Sequence, residues 1–217
     1  MKKKPERRVF IGRLSVLALL GFLPGACMNR EKAEPEASSK KTAGFEEELA
    51  KNRQMPADLV KKMLDQKVDQ HMQQSHHCAQ SSFMALKEQF GLDGDQVVRA
   101  LTPLPGLAER GETCGALTGP LMALGLIYGR DEFQMDNWDA YQKSLIPAGK
   151  FFDRFEKEFG TTTCHGVQNE KFGKCFQLTD PEQLREFQNA GATEHCSAVV
   201  RTAVRIAADI ILEDMTL

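Results

Sequence analysis

The chain has 217 residues, of which 41% are hydrophobic and 27% charged, enough apolar material for one compact domain with extra segments. Aromatic residues make up only 7%, whereas helix-forming residues are plentiful, so the composition predicts an all-α protein. Residues 1–26 hold six of the 28 basic and one of the 30 acidic residues, so the remainder carries 22 against 29, a formal charge of −7. That balance argues against nucleic acid as a partner, because binding a phosphate backbone needs clustered Lys and Arg.

The first 27 residues have the pattern of an export signal. A basic leader, a short apolar run over residues 16–26 and small residues before Cys27 follow one another, and the run is too short to span a bilayer. Arg7-Arg8-Val9-Phe10-Ile11 resembles the twin-arginine export motif, with a Sec-type signal as the alternative. We therefore expect a periplasmic or cell-envelope protein. Its only membrane contact would be this signal or a lipid on Cys27, a candidate lipoprotein cysteine.

Residues 28–44 lack an apolar period and are predicted to form a flexible linker, followed by a single helical domain over residues 45–217. Stretches with helical apolar periodicity, separated by Gly and Pro residues, divide that domain into helices. Residues 161–179 are predicted to be irregular. The predicted helices cover residues 56–74, 78–90, 95–101, 112–128, 137–159, 181–189 and 194–214.

All five histidines lie within seven positions of a cysteine, and His77, His165 and His195 adjoin one directly. Cys and His are the usual ligands of soft metals, and imidazole is also the usual partner of a reactive thiolate. Neighbours on a helix point about 100° apart, so an adjacent His and Cys cannot easily bind one ion together. We expect the three histidines to act on the thiols from outside the ligand set. We expect His71, on an apolar helix face, to be a core histidine.

Four cysteines stand at or near the expected start of a helix: Cys78, Cys114, Cys164 and Cys196. The unpaired amides and positive dipole end of a helix start favour a thiolate, so we expect lowered thiol pKa values. Four such thiols favour redox or metal chemistry over simple core packing, although structural disulfides stay open for an exported protein. Cys175, eleven residues after Cys164, is a fifth thiol that could pair or pack.

Gly115 and Gly119 lie four residues apart and provide a smooth strip that another helix or a cofactor could approach closely. Pro120 leaves two alternatives, a helix that runs through it or a loop that ends at Gly119. The spacings of zinc fingers, ferredoxins and Cys-x-x-Cys motifs are missing, so a metal site would combine distant segments. Because Cys-x-x-Cys-His is also missing, we expect no covalent c-type haem.

The stretch Gly111-Glu112-Thr113-Cys114-Gly115-Ala116-Leu117-Thr118-Gly119 resembles the C-GCAxxG-C-C family of putative redox-active proteins. That family has one cysteine before a Cys-Gly-Ala-x-x-Gly motif and two after it. Cys78, Cys114, Cys164 and Cys196 match in that order, and the similarity extends over about residues 59–212. The resemblance implies a small helical domain with four functional cysteines. The chain is similar, more distantly, to split-Soret cytochromes, which share this domain and add haem.

Together these observations predict an exported redox protein, an oxidoreductase or electron carrier, in which the four cysteines converge. They would serve either as an iron–sulfur or other metal site or as reversible dithiols, with Cys114 attacking and Cys78 or Cys164 resolving. The alternative is a non-catalytic structural or metal-binding module of the envelope. A redox partner protein is expected in the first case, and a homodimer stays open in both.

Overall fold

The computed structural model describes residues 36–213, with side chains from residue 44 onward. Within that range the chain is helical without any β-strand, which confirms the predicted all-α class. None of these helices is long and apolar enough to cross a membrane. The predicted export signal lies outside the described residues. The helices are α1 (Glu36–Gln54), α2 (Ala57–Ser75), α3 (Cys78–Phe90), α4 (Asp95–Ala100), α5 (Gly106–Glu109), α6 (Gly115–Tyr128), α7 (Trp138–Phe159), α8 (Cys164–Phe172), α9 (Pro181–Asn189) and α10 (Ala192–Leu212).

Side-chain caps and glycines fix most of these boundaries. Asp180 accepts hydrogen bonds from the amides of Glu182 and Gln183 at the start of α9, where Pro181 occupies the first turn. Left-handed glycines end α3 and α7 at Gly91 and Gly160. The predicted helices 78–90 and 181–189 have these ends in the structure, and the other five differ by at most three residues at either end.

Two segments differ from the prediction. Residues 164–172, expected to be irregular, form α8, because the Thr163 hydroxyl accepts the amide of Gly166 and Gly173 provides a left-handed end. In addition, α1 begins at Glu36, so helical backbone covers the second half of the segment predicted as a linker. Ala, Lys and Glu, which are common in that segment, all have high helix propensity.

The core lies between α2, α3, α6 and α10, with α10 packed against the other three. Helix α7 packs against α6 and α10, and α1 packs against α3. Each core helix presents one apolar face to the other helices. Fully burying one large apolar side chain of such a face stabilises the fold by about 1.5–3 kcal/mol. Fully buried members include Leu64 and Val68 on α2, Phe83 and Leu86 on α3, Leu117 and Leu124 on α6, and Val200 and Val204 on α10.

A smaller apolar cluster joins α8, α9 and the start of α10. Phe176, Phe187 and Ala192 are its buried members, and Phe172 packs edge-on against the rings of Phe176 and Phe187. The partly buried Cys196 packs against this cluster and also against the main core. Cys196 therefore lies at the boundary between the two clusters.

Polar contacts fix the position of α2. The His71 side chain is buried, and its Nε2 atom lies 2.9 Å from Oε1 of Glu88 on α3, as expected of a core histidine, although the partner is a carboxylate. Arg205 of α10 donates from Nε to Asp65 over 2.8 Å, and Arg201 donates to Asp69. These ion pairs join α2 to α10 at the edge of the core.

Candidate functional site

The four cysteines of the motif come from four different helices. Cys78 is the first residue of α3, Cys114 is the N-cap of α6, and Cys164 is the first residue of α8. Cys196 lies in the second turn of α10, which begins at Ala192. Three of the four thus stand at a helix start as predicted, whereas the prediction is wrong for Cys196, because α10 begins at Ala192, two residues before the expected start.

These segments meet at one cavity of about 270 Å³. Cys78, Cys164 and Cys196 line it, and its other walls include Glu109 and Phe187. Cys114 is buried, with 5% of its surface exposed, and its thiol interacts electrostatically with those of Cys78, Cys164 and Cys196. The four cysteines of the family motif, far apart in sequence, therefore form one group.

Backbone pairing holds the starts of α6 and α8 side by side. Thr113 and Thr163 form an isolated antiparallel bridge. The Cys114 amide donates to the Thr162 carbonyl over 2.9 Å, and the Cys164 amide donates to the Glu112 carbonyl over 2.6 Å. Because Thr113 and Thr163 directly precede the two cysteines, this pairing fixes the position of Cys114 relative to Cys164.

Three glycines bring backbone close to the site. A Cβ atom at Gly115 would overlap the Cys78 sulfur, and one at Gly119 would overlap Ser82 on α3. At Gly106, a Cβ would lie 3.2 Å from Cβ of Cys164. The strip predicted at Gly115 and Gly119 therefore packs against α3, and Gly115 is in contact with one of the four cysteines.

The short segment α5 is a single left-handed turn and not a regular α-helix, and it places a carboxylate beside the thiols. Gly106, Leu107, Ala108 and Glu109 all have positive φ, from 47° to 63°, which is unfavourable for the three residues that carry a Cβ. The Glu109 side chain lines the cavity, and its charge disfavours ionisation of Cys78, Cys164 and Cys196. Burial in turn raises the pKa of Glu109, and nearby His77 opposes that shift.

Burial is the main influence on the thiols. It raises the pKa of Cys114 to about 12 and that of Cys164 to about 11, and it also raises the pKa values of Cys78 and Cys196. The negative charge that neighbouring thiols would carry adds to the effect on Cys78, Cys114 and Cys196. The expectation of lowered pKa values is therefore wrong for this protein without a bound cation, because desolvation outweighs the helix starts.

Several N–H groups nevertheless favour thiolates here. The amide of Ala79 acts on Cys78, and those of Ala116 and Leu117 act on Cys114, each lowering the thiol pKa. The Gln168 side chain donates to the sulfur of Cys164 over 3.4 Å, one helical turn further along α8. If a bound cation offset the cost of burying negatively charged sulfur, these N–H donors would further stabilise the thiolates.

The three predicted histidines occupy different surroundings. His77 caps α3, accepting the Gln80 amide at Nδ1 over 3.1 Å, so that Nε2 donates to the Thr102 carbonyl over 3.0 Å. The His165 ring packs on Gly111, and its buried Nε2 has no hydrogen-bond partner. His195 is exposed and packs edge-on against Phe172. Of the three, His77 is the one that acts electrostatically on Glu109.

All five cysteines in the described part of the chain are free thiols. Cys175 is exposed and donates to the backbone carbonyl of His165 over 3.2 Å, and it acts electrostatically on Cys164. Among residues 44–213, no set of three or more Cys, His, Asp or Glu side chains is placed to hold a single metal ion. The thiols therefore surround a space without the geometry of a mononuclear site.

Glu109 and Gln168 are site residues that the sequence analysis did not identify. Gln168 follows Cys164 by four residues, a spacing that would have indicated it if α8 had been predicted. Glu109 lies in an irregular turn, whose geometry no periodicity reveals.

The fold and the cavity define a small all-α protein with four cysteines gathered around one site. The family profile described as "Putative redox-active protein (C_GCAxxG_C_C)" matches residues 76–210, and the chain belongs to this family. The resemblance drawn from the Cys114 motif is thus confirmed. Comparisons with curated proteins and with solved structures returned no match.

Proposed function

We propose that this protein transfers electrons through an iron–sulfur cluster held by Cys78, Cys114, Cys164 and Cys196. The observation that carries the proposal is a group of four interacting thiols with N–H donors: three partly buried thiols line a cavity of about 270 Å³, and the buried thiol of Cys114 interacts with them. Four cysteines are the usual ligand set of such clusters, and N–H groups near their sulfurs are a usual means of setting the potential.

The chemistry of the donor set fits a cationic group larger than one ion. Burial keeps the thiols protonated, and the cavity walls formed by the described residues include no Lys or Arg that could compensate four thiolates. Iron supplies that positive charge when bound and cycles between oxidation states. The described side chains do not form a site for a single metal ion, so the proposal concerns a cluster and not a mononuclear centre.

Thiol–disulfide exchange is the second candidate, favoured by the backbone pairing of the segment 112–114 with the segment 162–164, which holds Cys114 near Cys164. In that reaction the two thiols would form one S–S bond, passing two electrons and two protons to a disulfide of a partner protein, which becomes a dithiol. At pH 7, a pKa of about 12 leaves roughly one Cys114 in 10⁵ as thiolate. Because the thiolate is the nucleophile, this candidate ranks below the cluster.

The decisive experiment is anaerobic purification of the full-length protein with iron, zinc and labile-sulfide analysis. The proposal expects a brown protein that contains iron and acid-labile sulfide in comparable amounts. Serine at any of the four positions should reduce both, whereas Cys175→Ser, the control, should leave them unchanged. Colourless protein in which Cys114 and Cys164 form a reversible disulfide would replace the cluster with dithiol chemistry. Inert thiols without metal would favour a structural module.

We also propose that the protein works in the periplasm or cell envelope, on the basis of its basic leader and the Arg7-Arg8 pair. Fractionation of a bacterial host should find the protein outside the cytoplasm, shortened by about the length of the leader. The double substitution Arg7→Lys and Arg8→Lys should retain it inside if the twin-arginine route is used. Unchanged export of that variant would indicate a Sec-type signal, and cytoplasmic wild-type protein would contradict export.

A further inference from the structure

Helix α7 has two apolar faces but only one core to pack against. Of its 22 residues only Pro147, Phe151 and Phe155 are buried. On the opposite face Leu145 and Ile146 are each 48% exposed, and Phe152 is 39% exposed. Apolar side chains grouped in this way on a surface mark a site of association.

Four exposed charges flank this apolar stripe in an alternating order: Asp139, Lys143, Asp153 and Lys157. None of them forms an ion pair with the described part of the chain, in contrast to Lys150 and Arg154 of the same helix, which both pair with Glu213. At 100° per residue the four lie within about 80° of one another around the helix, along a single flank of the stripe. Lys150 lies on the same flank but pairs with Glu213, and the four charges without such a pair read negative, positive, negative, positive along the chain.

Read in the opposite direction, this order of charges becomes positive, negative, positive, negative. Two antiparallel copies of the helix would therefore place unlike charges opposite each other. The midpoint of positions 139 and 157 is position 148, and the midpoint of positions 143 and 153 is also position 148. The mean position of Leu145, Ile146, Gly149 and Phe152 is also 148. An antiparallel copy centred there would set Lys143 and Lys157 each opposite an Asp of its partner. A two-fold axis produces such a reciprocal arrangement.

We propose that a second copy of this chain binds here, with α7 packed antiparallel against α7 across a two-fold axis. We call Leu145, Ile146, Gly149 and Phe152, with the four flanking charges, the α7 surface. Gly149 lies near its centre, and a Cβ there would meet nothing within 4 Å, so a partner helix can approach closely. Lys143 then pairs with Asp153 of the partner copy, and Asp139 with Lys157, once on each side of the axis.

The α7 surface is separate from the cysteine cavity, because none of its residues lines that cavity. The dimer therefore does not depend on the iron–sulfur proposal, and either can fail without the other. Apolar contact supplies most of the affinity in such an interface, whereas the charges select the antiparallel register.

The test is sedimentation equilibrium of the full-length protein and of charge-reversed variants. Lys143→Asp and Asp153→Lys should each weaken dimerisation at least tenfold, because each places like charges together on both sides of the axis. A mixture of these two variants should form a heterodimer, since both contacts between them are attractive. The double variant with both substitutions should dimerise about as well as wild type.

Two further variants test whether dimerisation depends on the α7 surface itself or on any exposed apolar side chain. Leu145→Glu should abolish the dimer, and the matched control Leu59→Glu, at a side chain 45% exposed on α2, should leave it intact. Circular dichroism and thermal unfolding should show that both variants are folded. A wild-type protein that stays monomeric at about 100 µM would overturn the proposal, as would a dimer unaffected by Leu145→Glu and both charge reversals.

Discussion

Gly115 and Cys78 are in such close contact that a methyl group at position 115 would overlap the Cys78 sulfur. The same methyl would lie 2.8 Å from the amide nitrogen of Ala79, which favours the Cys78 thiolate. The glycine of the family motif thus allows α6 to cross α3 at the position of a site cysteine. Helix packing and the site depend on the same residue.

We predict that Gly115→Ala destabilises the protein by about 1–3 kcal/mol, because backbone and sulfur atoms must move to admit the methyl group. The displaced Cys78 should also reduce iron content under anaerobic purification. Urea unfolding and metal analysis measure the two effects. Gly125→Ala on the same helix is the control: its Cβ meets nothing within 4 Å, so the variant should gain about 0.5–1 kcal/mol. Equal stabilities of the two variants would contradict the contact.

The raised thiol pKa values predict that metal-free protein loses stability in alkaline solution. A thiol with a folded pKa of about 12 stays protonated where its unfolded counterpart, with a pKa near 9, has already ionised. The folded state then binds more protons, so the free energy of unfolding falls by about 1.4 kcal/mol per pH unit for each such thiol above pH 9.

Urea midpoints of metal-free protein measured between about pH 8 and pH 10.5 test this slope. The control replaces Cys114 with Ser, which has no titrating group in this range, and should show a shallower decline. Identical slopes for the two proteins would mean that Cys114 ionises as easily in the folded chain as in the unfolded one.

The sequence identified the four cysteines and most helices because both signals are local. Apolar periodicity and a cap define α9, and the Cys-Gly-Ala-x-x-Gly motif surrounds Cys114. By contrast, the direction of the thiol pKa shifts could not be predicted. The helix-start effect can be read from neighbouring residues, but the larger desolvation depends on the packing of α8 and α10 around the cavity, which only the fold supplies.

Removing the charge of Glu109 should make the thiols more reactive. Glu109→Gln keeps the shape of the side chain and deletes the negative charge that raises the pKa values of Cys78, Cys164 and Cys196. Metal-free protein should therefore be alkylated several-fold faster at pH 8.5, as measured by mass spectrometry of each cysteine. Glu112→Gln, an exposed neighbour in the same loop, is the control and should match wild type. Equal rates in all three proteins would contradict a role for Glu109 in thiol ionisation.

The left-handed turn before the motif predicts a stabilising glycine. Ala108 has φ 59° and ψ 38°, a conformation that costs an L-residue about 1–2 kcal/mol and glycine almost nothing. Its side chain is exposed, so Ala108→Gly removes little packing and should raise the free energy of unfolding by roughly 1 kcal/mol, less the added entropy of the unfolded chain. Ala198→Gly, at an exposed position within α10, is the control and should lower the free energy of unfolding by a similar amount. Urea unfolding of both variants measures the difference. If both glycines destabilise equally, residue 108 is not left-handed, and the turn that carries Glu109 into the cavity has a different shape.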